Sequence, residues 1–146
     1  MTSIRSVEQR KRDVLAALKK HGHYWLSSAQ VGGGPHVIAV SGLWQEDEMV
    51  VTTLGTSKTA RNLAMNPLAV LAGGDPSDAI VIQAQVIESR PVEDAARLGA
   101  EWKAALGWDP PGDWVFYRLR PTRIQAFRGF EEIRGRDVMI RSRWLV

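Results

Sequence analysis

No apolar run in this chain lasts long before glycine, proline or a polar cluster cuts it, and that punctuation restricts the fold more than any other feature. Gly32-Gly33-Gly34-Pro35, Gln45-Glu46-Asp47-Glu48, Gly73-Gly74-Asp75-Pro76-Ser77-Asp78 and Gly107-Trp108-Asp109-Pro110-Pro111-Gly112 each interrupt regular backbone pairing. Between them lie runs rich in Val, Ile, Thr and aromatic residues, the composition of short strands. Residues 23–28, 36–44 and 49–54 predict a three-strand meander, with further strands at 68–72 and 79–88. In the last of these Ile80, Ile82, Ala84 and Val86 share one face, as a period of two requires. Residues 114–119 and 122–130 predict two more strands separated by Arg120-Pro121, and residues 138–146 a final one. The polar stretch 131–137 reads as a mobile connection. The triple glycine precedes a strand rather than a helix, so it predicts a hairpin turn and not a nucleotide loop.

Helical periodicity is confined to three places. Ser6-Val7-Glu8-Gln9 has the form of a capping box, with Ser6 as N-cap and Gln9 reaching back. Val7, Val14, Leu15 and Leu18 then make an apolar stripe, Lys19, Lys20 and His21 occupy the last turn, and Gly22 stops a helix of about four turns. Pro91 opens a helix over 92–106, in which Ala95, Leu98, Trp102 and Leu106 recur at helical spacing. The third helix follows Gly55 and is short. Seven or eight strands, two or three helices and no regular βαβ alternation predict a mainly β fold with peripheral helices (α+β), a small antiparallel barrel. No repeat or linker divides residues 1–146, so a single domain is expected.

The segment 50–67 carries the chemistry. Val50-Val51-Thr52-Thr53-Leu54 reads as a strand that breaks at Gly55, and the chain restarts as a short helix closed by Asn66-Pro67. Thr56 or Ser57 serves as N-cap, and Lys58 falls in the first turn. A helix start offers unpaired N–H groups and partial positive charge, so this junction is a candidate seat for one phosphate. On a helical wheel Lys58, Arg61, Asn62 and Met65 share one side, and Ala60, Leu63 and Ala64 share the other. The bland alternative is a basic face that only meets water.

Other chemistries are thinly represented. The chain has no cysteine, which removes disulfides, thiolate catalysis and cysteine metal sites, and fits a reducing cytoplasm. No apolar run is long enough to span a bilayer and no signal-peptide core is present, so a cytoplasmic location is expected. His21, His23 and His36 have no partners at metal-ligand spacing, and His36 reads as a strand-wall residue, so no metal is expected. Neither a Ser-His-Asp pattern nor a nucleophile elbow appears. An enzyme built on this chain must therefore take its chemistry from a cofactor. The formal charge of +3 is compatible with nucleic acid, anionic lipid or a phosphorylated small molecule, and does not choose among them.

Taken together, Gly34-Pro35-His36-Val37, Thr52-Thr53, Ser57-Lys58, Arg61-Asn62-Leu63, Asn66-Pro67, Gly107-Trp108-Asp109-Pro110, Tyr117 with Arg120-Pro121, and Arg143-Trp144 carry a resemblance. The chain resembles the pyridoxamine-phosphate-oxidase-like split β-barrel family, and most of all its short branch of flavin- and deazaflavin-dependent oxidoreductases. That resemblance implies a split antiparallel barrel and a homodimer with two cofactor sites at the subunit interface. It implies coenzyme F420 or FMN as cofactor and a small conjugated organic molecule as substrate, with no nucleic-acid or membrane partner. The cofactor phosphate would lie on Thr53, Thr56, Ser57 and Lys58, beside Arg61 and Asn62, and the ring along Ile38-Ala39-Val40 near Thr52. Phe127, Arg143 and Trp144 would reach in from the partner chain. No residue set suits pyridoxamine itself, so vitamin synthesis is not expected. Two alternatives stay open. One is a non-catalytic barrel that sequesters a flavin, deazaflavin or haem. The other is a small basic nucleic-acid binder, which would interleave basic and aromatic residues along one face, as only residues 141–144 do.

Overall fold

Strand β6 (Trp114–Phe127) is the one on which the sheet closes. The computed structural model describes residues 4–20 and 22–146. Before β6 come β1 (His23–Ala29), β2 (Pro35–Gln45), β3 (Glu48–Leu54), β4 (Leu68–Asp75) and β5 (Asp78–Pro91). These strands run antiparallel in the order β3-β2-β1-β4-β5-β6, and a further β3–β6 pairing closes them into a six-strand barrel. A hairpin of β7 (Asp137–Ile140) and β8 (Arg143–Trp144) extends the sheet from the far half of β6. The expected class, a mainly β antiparallel barrel with peripheral helices, is the one observed.

One long strand replaces the two expected on either side of Arg120-Pro121. Proline has no N–H to give the ladder and normally ends a central strand. Here the register shifts between Gln83 and Ala84, so that Pro121 sits opposite Ala84 and Arg123 opposite Gln83. Thr122, left over by this bulge, donates its hydroxyl to the Gln83 carbonyl at 3.1 Å. Its own carbonyl accepts from the Ser142 N–H at 2.9 Å, and the Pro121 carbonyl accepts from Ser142 Oγ at 2.8 Å. The strand survives its proline because a side chain and a neighbouring turn supply the missing bonds.

Leu26, Met49, Val51, Leu71, Ile82, Leu119 and Ile124 fill the barrel, all fully buried. Tyr24 enters the same space because Gly42 and Gly73 leave room for its ring. A Cβ on either glycine would lie 2.8 Å from that ring. Burial pushes the Tyr24 hydroxyl up to about 12. Helix α1 (Val7–Leu18) stops one end of the barrel with Val14 and Leu18, flanked by Val7 and Leu15 as the stripe predicted. Ser6 caps it, accepting the Gln9 N–H at 3.1 Å, but Gln9 does not reach back: its amide donates to Asp13 at 2.7 Å. The helix ends at Leu18, so Lys19 and Lys20 follow it rather than fill its last turn, and His21 lies outside the described residues.

The expected helix over 92–106 is divided. A single 3-10 turn (Val92–Asp94) precedes Ala95, and α3 (Ala96–Leu106) ends on Gly107 at φ 85. It packs on the outside of the barrel, where Trp102 is fully buried with Leu43, Val50, Ala95 and Phe116 in a second, smaller core.

The stretch 131–137 is anchored, contrary to the mobile connection its polarity predicts. Glu132 is 3% exposed. It accepts from the Arg5 guanidinium at 2.6 Å, from the Arg5 N–H at 2.9 Å and from the Arg128 N–H at 2.8 Å. Arg10, also buried, donates to the Gly135 carbonyl at 2.7 Å. The Arg5 hydrogen bond holds the Glu132 carboxyl down to about 2, against an ordinary 4.5. Because the folded value lies below the unfolded one, this stabilisation is complete above about pH 4.5 and is lost as pH falls towards about 2. Glu132→Gln is expected to cost about 3 kcal/mol at neutral pH and to flatten the acid limb of stability. Urea unfolding of both proteins across that acid range checks it.

Candidate functional site

At the end of β3 the chain turns sharply. The Gly55 N–H donates to the Asp113 carbonyl at 3.1 Å and the Ser57 N–H to the Leu54 carbonyl at 3.0 Å. Helix α2 (Lys58–Met65) starts there, with Ser57 as N-cap accepting the Ala60 N–H at 3.1 Å. Thr53 Oγ1 stands 3.4 Å from Ser57 Oγ, tying the strand end to the cap. Since the Arg61 N–H makes the bond to the Ser57 carbonyl, the Lys58 N–H precedes the first intrahelical bond on an exposed residue, whereas Thr59 behind it is fully buried. Arg61 folds back over the same turn, its Nη1 donating to the Thr56 carbonyl at 2.7 Å. Thr53, Thr56, Ser57, Lys58 and Arg61 thus meet at one positively biased corner.

Asn62 does not join them. It is 0% exposed, whereas the helical wheel put it on the open side. Its Nδ2 donates to Ser28 Oγ on β1 at 3.2 Å, so α2 docks through Thr59, Ala60, Asn62 and Leu63, and Ala64, expected on the docked side, faces water with Lys58, Arg61 and Met65. A buried hydroxyl across the interface turned a polar side chain inward, which apolar periodicity cannot register. Asn62 is a fastener of the helix, not a ligand contact.

Beside this corner, on the outer face of β1, β2 and β3, lies a cleft of about 200 Å³. Ala39, Val40, Thr52 and Thr53 are among its lining residues, and Thr53 belongs to both the cleft and the anion corner. Ile38 does not line the cleft: it packs on the barrel core, to which the buried Val40 also belongs. Thr52 Oγ1 is engaged, donating to the Val115 carbonyl at 2.9 Å. Four lining residues escaped the sequence reading: His23, Ser41, Trp108 and Trp114. Trp108 and Trp114 meet edge to face at 6.1 Å, and Trp108 meets the buried Trp102 in the same way at 5.5 Å, so the wall is braced by the second core. His23 and Ser41 are cross-strand partners, with Ser41 Oγ 3.3 Å from the imidazole Nδ1. Only strand register could have paired them.

Phe127 ends β6, and Arg143 and Trp144 form β8, away from this chain's own cleft lining. Trp144 is half-buried against the core with Lys11 Nζ 5.2 Å from its ring centre. A larger hollow of about 570 Å³ lies beside α3, and several of the charges that line it are paired with one another. Arg118 donates to Gln45 at 3.0 Å, Gln45 donates to Glu101 at 2.8 Å, and Arg90 pairs with Glu88 at 2.8 Å. Gln45 also holds the Glu101 carboxyl below its usual range. Among the described residues, no group of three or more His, Asp or Glu side chains is placed to hold a metal ion, and no helix is long and apolar enough to cross a membrane.

No family model matches the sequence, and no curated protein matches it. Solved structures do. The backbone is similar to an F420 reductase, with a TM-score of 0.65 and 20% identity over 75% of this chain and 93% of that one. It is similar to a putative pyridoxamine 5'-phosphate oxidase from Listeria innocua at TM-score 0.63 and 17% identity, covering 82% and 98% of the two chains. The chain has the split-barrel fold of the pyridoxamine 5'-phosphate oxidase-like proteins. The same split barrel is found in HutZ, the haem storage protein of Vibrio cholerae, at TM-score 0.61 and 14% identity over 92% of this chain and 99% of HutZ. At these identities the likeness is one of backbone, and the chemistry of this split barrel has to be read from its own side chains.

The burial of Asn62 makes its substitution a test of packing. Asn62→Ala leaves Ser28 Oγ unpaired beneath α2 and is expected to cost about 1–3 kcal/mol. Urea unfolding checks it, and a variant as stable as the parent contradicts the assignment.

Proposed function

We propose that this split barrel is a cofactor-dependent oxidoreductase that binds coenzyme F420 or FMN, with the cofactor phosphate at the head of α2 and the ring in the adjacent cleft. The observation that carries the reading is the shared position of Thr53, which joins an anion-favouring helix start to a cleft walled by two tryptophans. The donor set suits a phosphate: the Lys58 backbone N–H, the hydroxyls of Thr56 and Ser57, and the cations of Lys58 and Arg61. No carboxylate lines the cleft. When bound, such a group supplies hydride chemistry towards a small conjugated organic substrate. The chain's part is to hold the phosphate on the Lys58 side, to run the backbone of residues 38–40 along the ring, and to keep water away with Trp108 and Trp114. A deazaflavin carries a longer anionic tail, and Arg61, Arg141 and Arg143 are exposed cations suited to it, whereas Arg123 is committed to Asp137 at 2.7 Å.

We further propose a homodimer built on the outer face of β1, β2 and β4. Trp25 is 61% exposed there, Val37 54% and Leu68 60%, with Val70 in register between the strands. Monomers seldom leave so large an apolar face in water. Ala39 is the cross-strand neighbour of Trp25 and also lines the cleft, so a second copy seated on this face borders the cofactor site. Phe127, Arg143 and Trp144 are the residues such a copy would contribute.

A second reading, storage or transport of the cofactor without turnover, is favoured by the likeness to HutZ. Visible spectra of the purified protein before and after addition of F420, FMN or haem, followed by steady-state reduction assays, separate the two. An oxidoreductase binds F420 or FMN and turns over. A carrier binds and does not. Failure to bind F420 or FMN overturns the reading.

Two substitutions refine the test. Lys58→Ala removes one charge-assisted contact and is expected to weaken cofactor binding by about 1.5–3 kcal/mol, read by titration. Trp25→Glu puts a charge in the centre of the apolar face and is expected to convert the dimer to monomer in sedimentation velocity.

A further inference from the structure

Adding hydride to one end of a C=C–C=O unit breaks the C=C π bond, forms one C–H bond and leaves an enolate. The reaction is complete only when the carbon next to the carbonyl takes a proton, and where the site excludes water that proton comes from a donor in the cleft. Of the residues that line it, His23 has the one ionisable side chain. The hydroxyls of Thr52 and Thr53 are engaged with the Val115 carbonyl and Ser57. The indoles of Trp108 and Trp114 hold their protons too tightly to serve.

We propose that His23, oriented by Ser41, is the proton donor of the hydride-transfer reaction. This rests on the oxidoreductase reading and extends it to a residue that neither the sequence patterns nor the comparisons single out. Ser41 Oγ lies 3.3 Å from Nδ1 and fixes one edge of the ring, which leaves Nε2 as the nitrogen without a partner among the described residues. His23 is exposed at the cleft edge, so water can return its proton after each turnover. The two electrons and one hydrogen come as hydride from the reduced flavin or deazaflavin, which is oxidised. The second hydrogen leaves Nε2 of the imidazolium as a proton and forms the second C–H bond, and the neutral imidazole keeps its Nδ1 proton on Ser41 Oγ. The reverse reaction uses the same nitrogen as base. On its other side His23 borders a separate hollow, where Asp13 comes from α1, Arg5 and Lys20 from the residues before and after that helix, Asp75 and Asp78 from the adjoining ends of β4 and β5, and Arg128 from just past β6.

The test uses the full chain with F420 or FMN. In wild type, adding oxidised cofactor is expected to move the His23 imidazole 15N resonances, assigned by their loss in His23→Gln. His23→Gln is expected to keep the cofactor dissociation constant within about twofold, because it removes no phosphate contact. It is expected to slow single-turnover reduction of an α,β-unsaturated ketone by about 100-fold, the low end for general acid catalysis. His36→Gln, a strand-wall change, serves as control and is expected to match wild type. If His23→Gln binds cofactor and reduces the ketone at the wild-type rate, or saturating cofactor leaves the His23 resonances unmoved, the proton-donor assignment fails and the oxidoreductase reading stands. If wild type binds neither cofactor, both fail.

Discussion

Closure of the barrel by β3 against β6 is the constraint on which the rest of the molecule depends. That pairing runs from Met49 opposite Leu119 to Leu54 opposite Trp114. It delivers the end of β3 to the same place as the start of β6, so Gly55 meets Asp113 and α2 begins beside Trp114. The anion corner and the tryptophan wall are therefore two products of one strand contact. Without it the Thr53–Ser57 link would have no cleft to adjoin, and Trp102 would lose the platform on which α3 rests. The bulge at Pro121 serves the same end, because it lets a single strand bond three neighbours instead of stopping halfway.

Much of this was legible in the residues. Period-two apolar runs and glycine-proline breaks placed the first five strands to within a few residues, and the hydroxyls of Thr56 and Ser57 marked the start of α2, where Ser57 is the cap. What escaped was whatever depended on a distant partner. Pro121 looked like the end of a strand because the repairs, from Thr122 and Ser142, are invisible locally. Residues 131–137 looked free because the cation that anchors Glu132 lies 127 positions away, on Arg5. Asn62 looked like a ligand contact until Ser28 was found opposite it. His23 carried no signal, since its meaning comes from being across from Ser41.

The two cores divide the labour. The barrel interior is packed mainly by aliphatic side chains, with Tyr24 among them, and it gives the sheet its shape. The outer core under α3 holds Trp102 at the centre of an aromatic chain that runs to Trp108 and Trp114. Rigidity in the cleft wall thus comes from outside the barrel, through edge-to-face contacts. The floor takes its rigidity from the strands themselves.

Tyr24 sets the bore of the barrel. Its ring occupies the space between Gly42 and Gly73, and at Gly42 a single added carbon would also press within 2.6 Å of the Met49 sulfur. The gauge of the cylinder is thereby fixed by one aromatic plate and two missing side chains. A side chain added at either glycine must displace that plate, so neither position can be enlarged without a compensating shift of Tyr24.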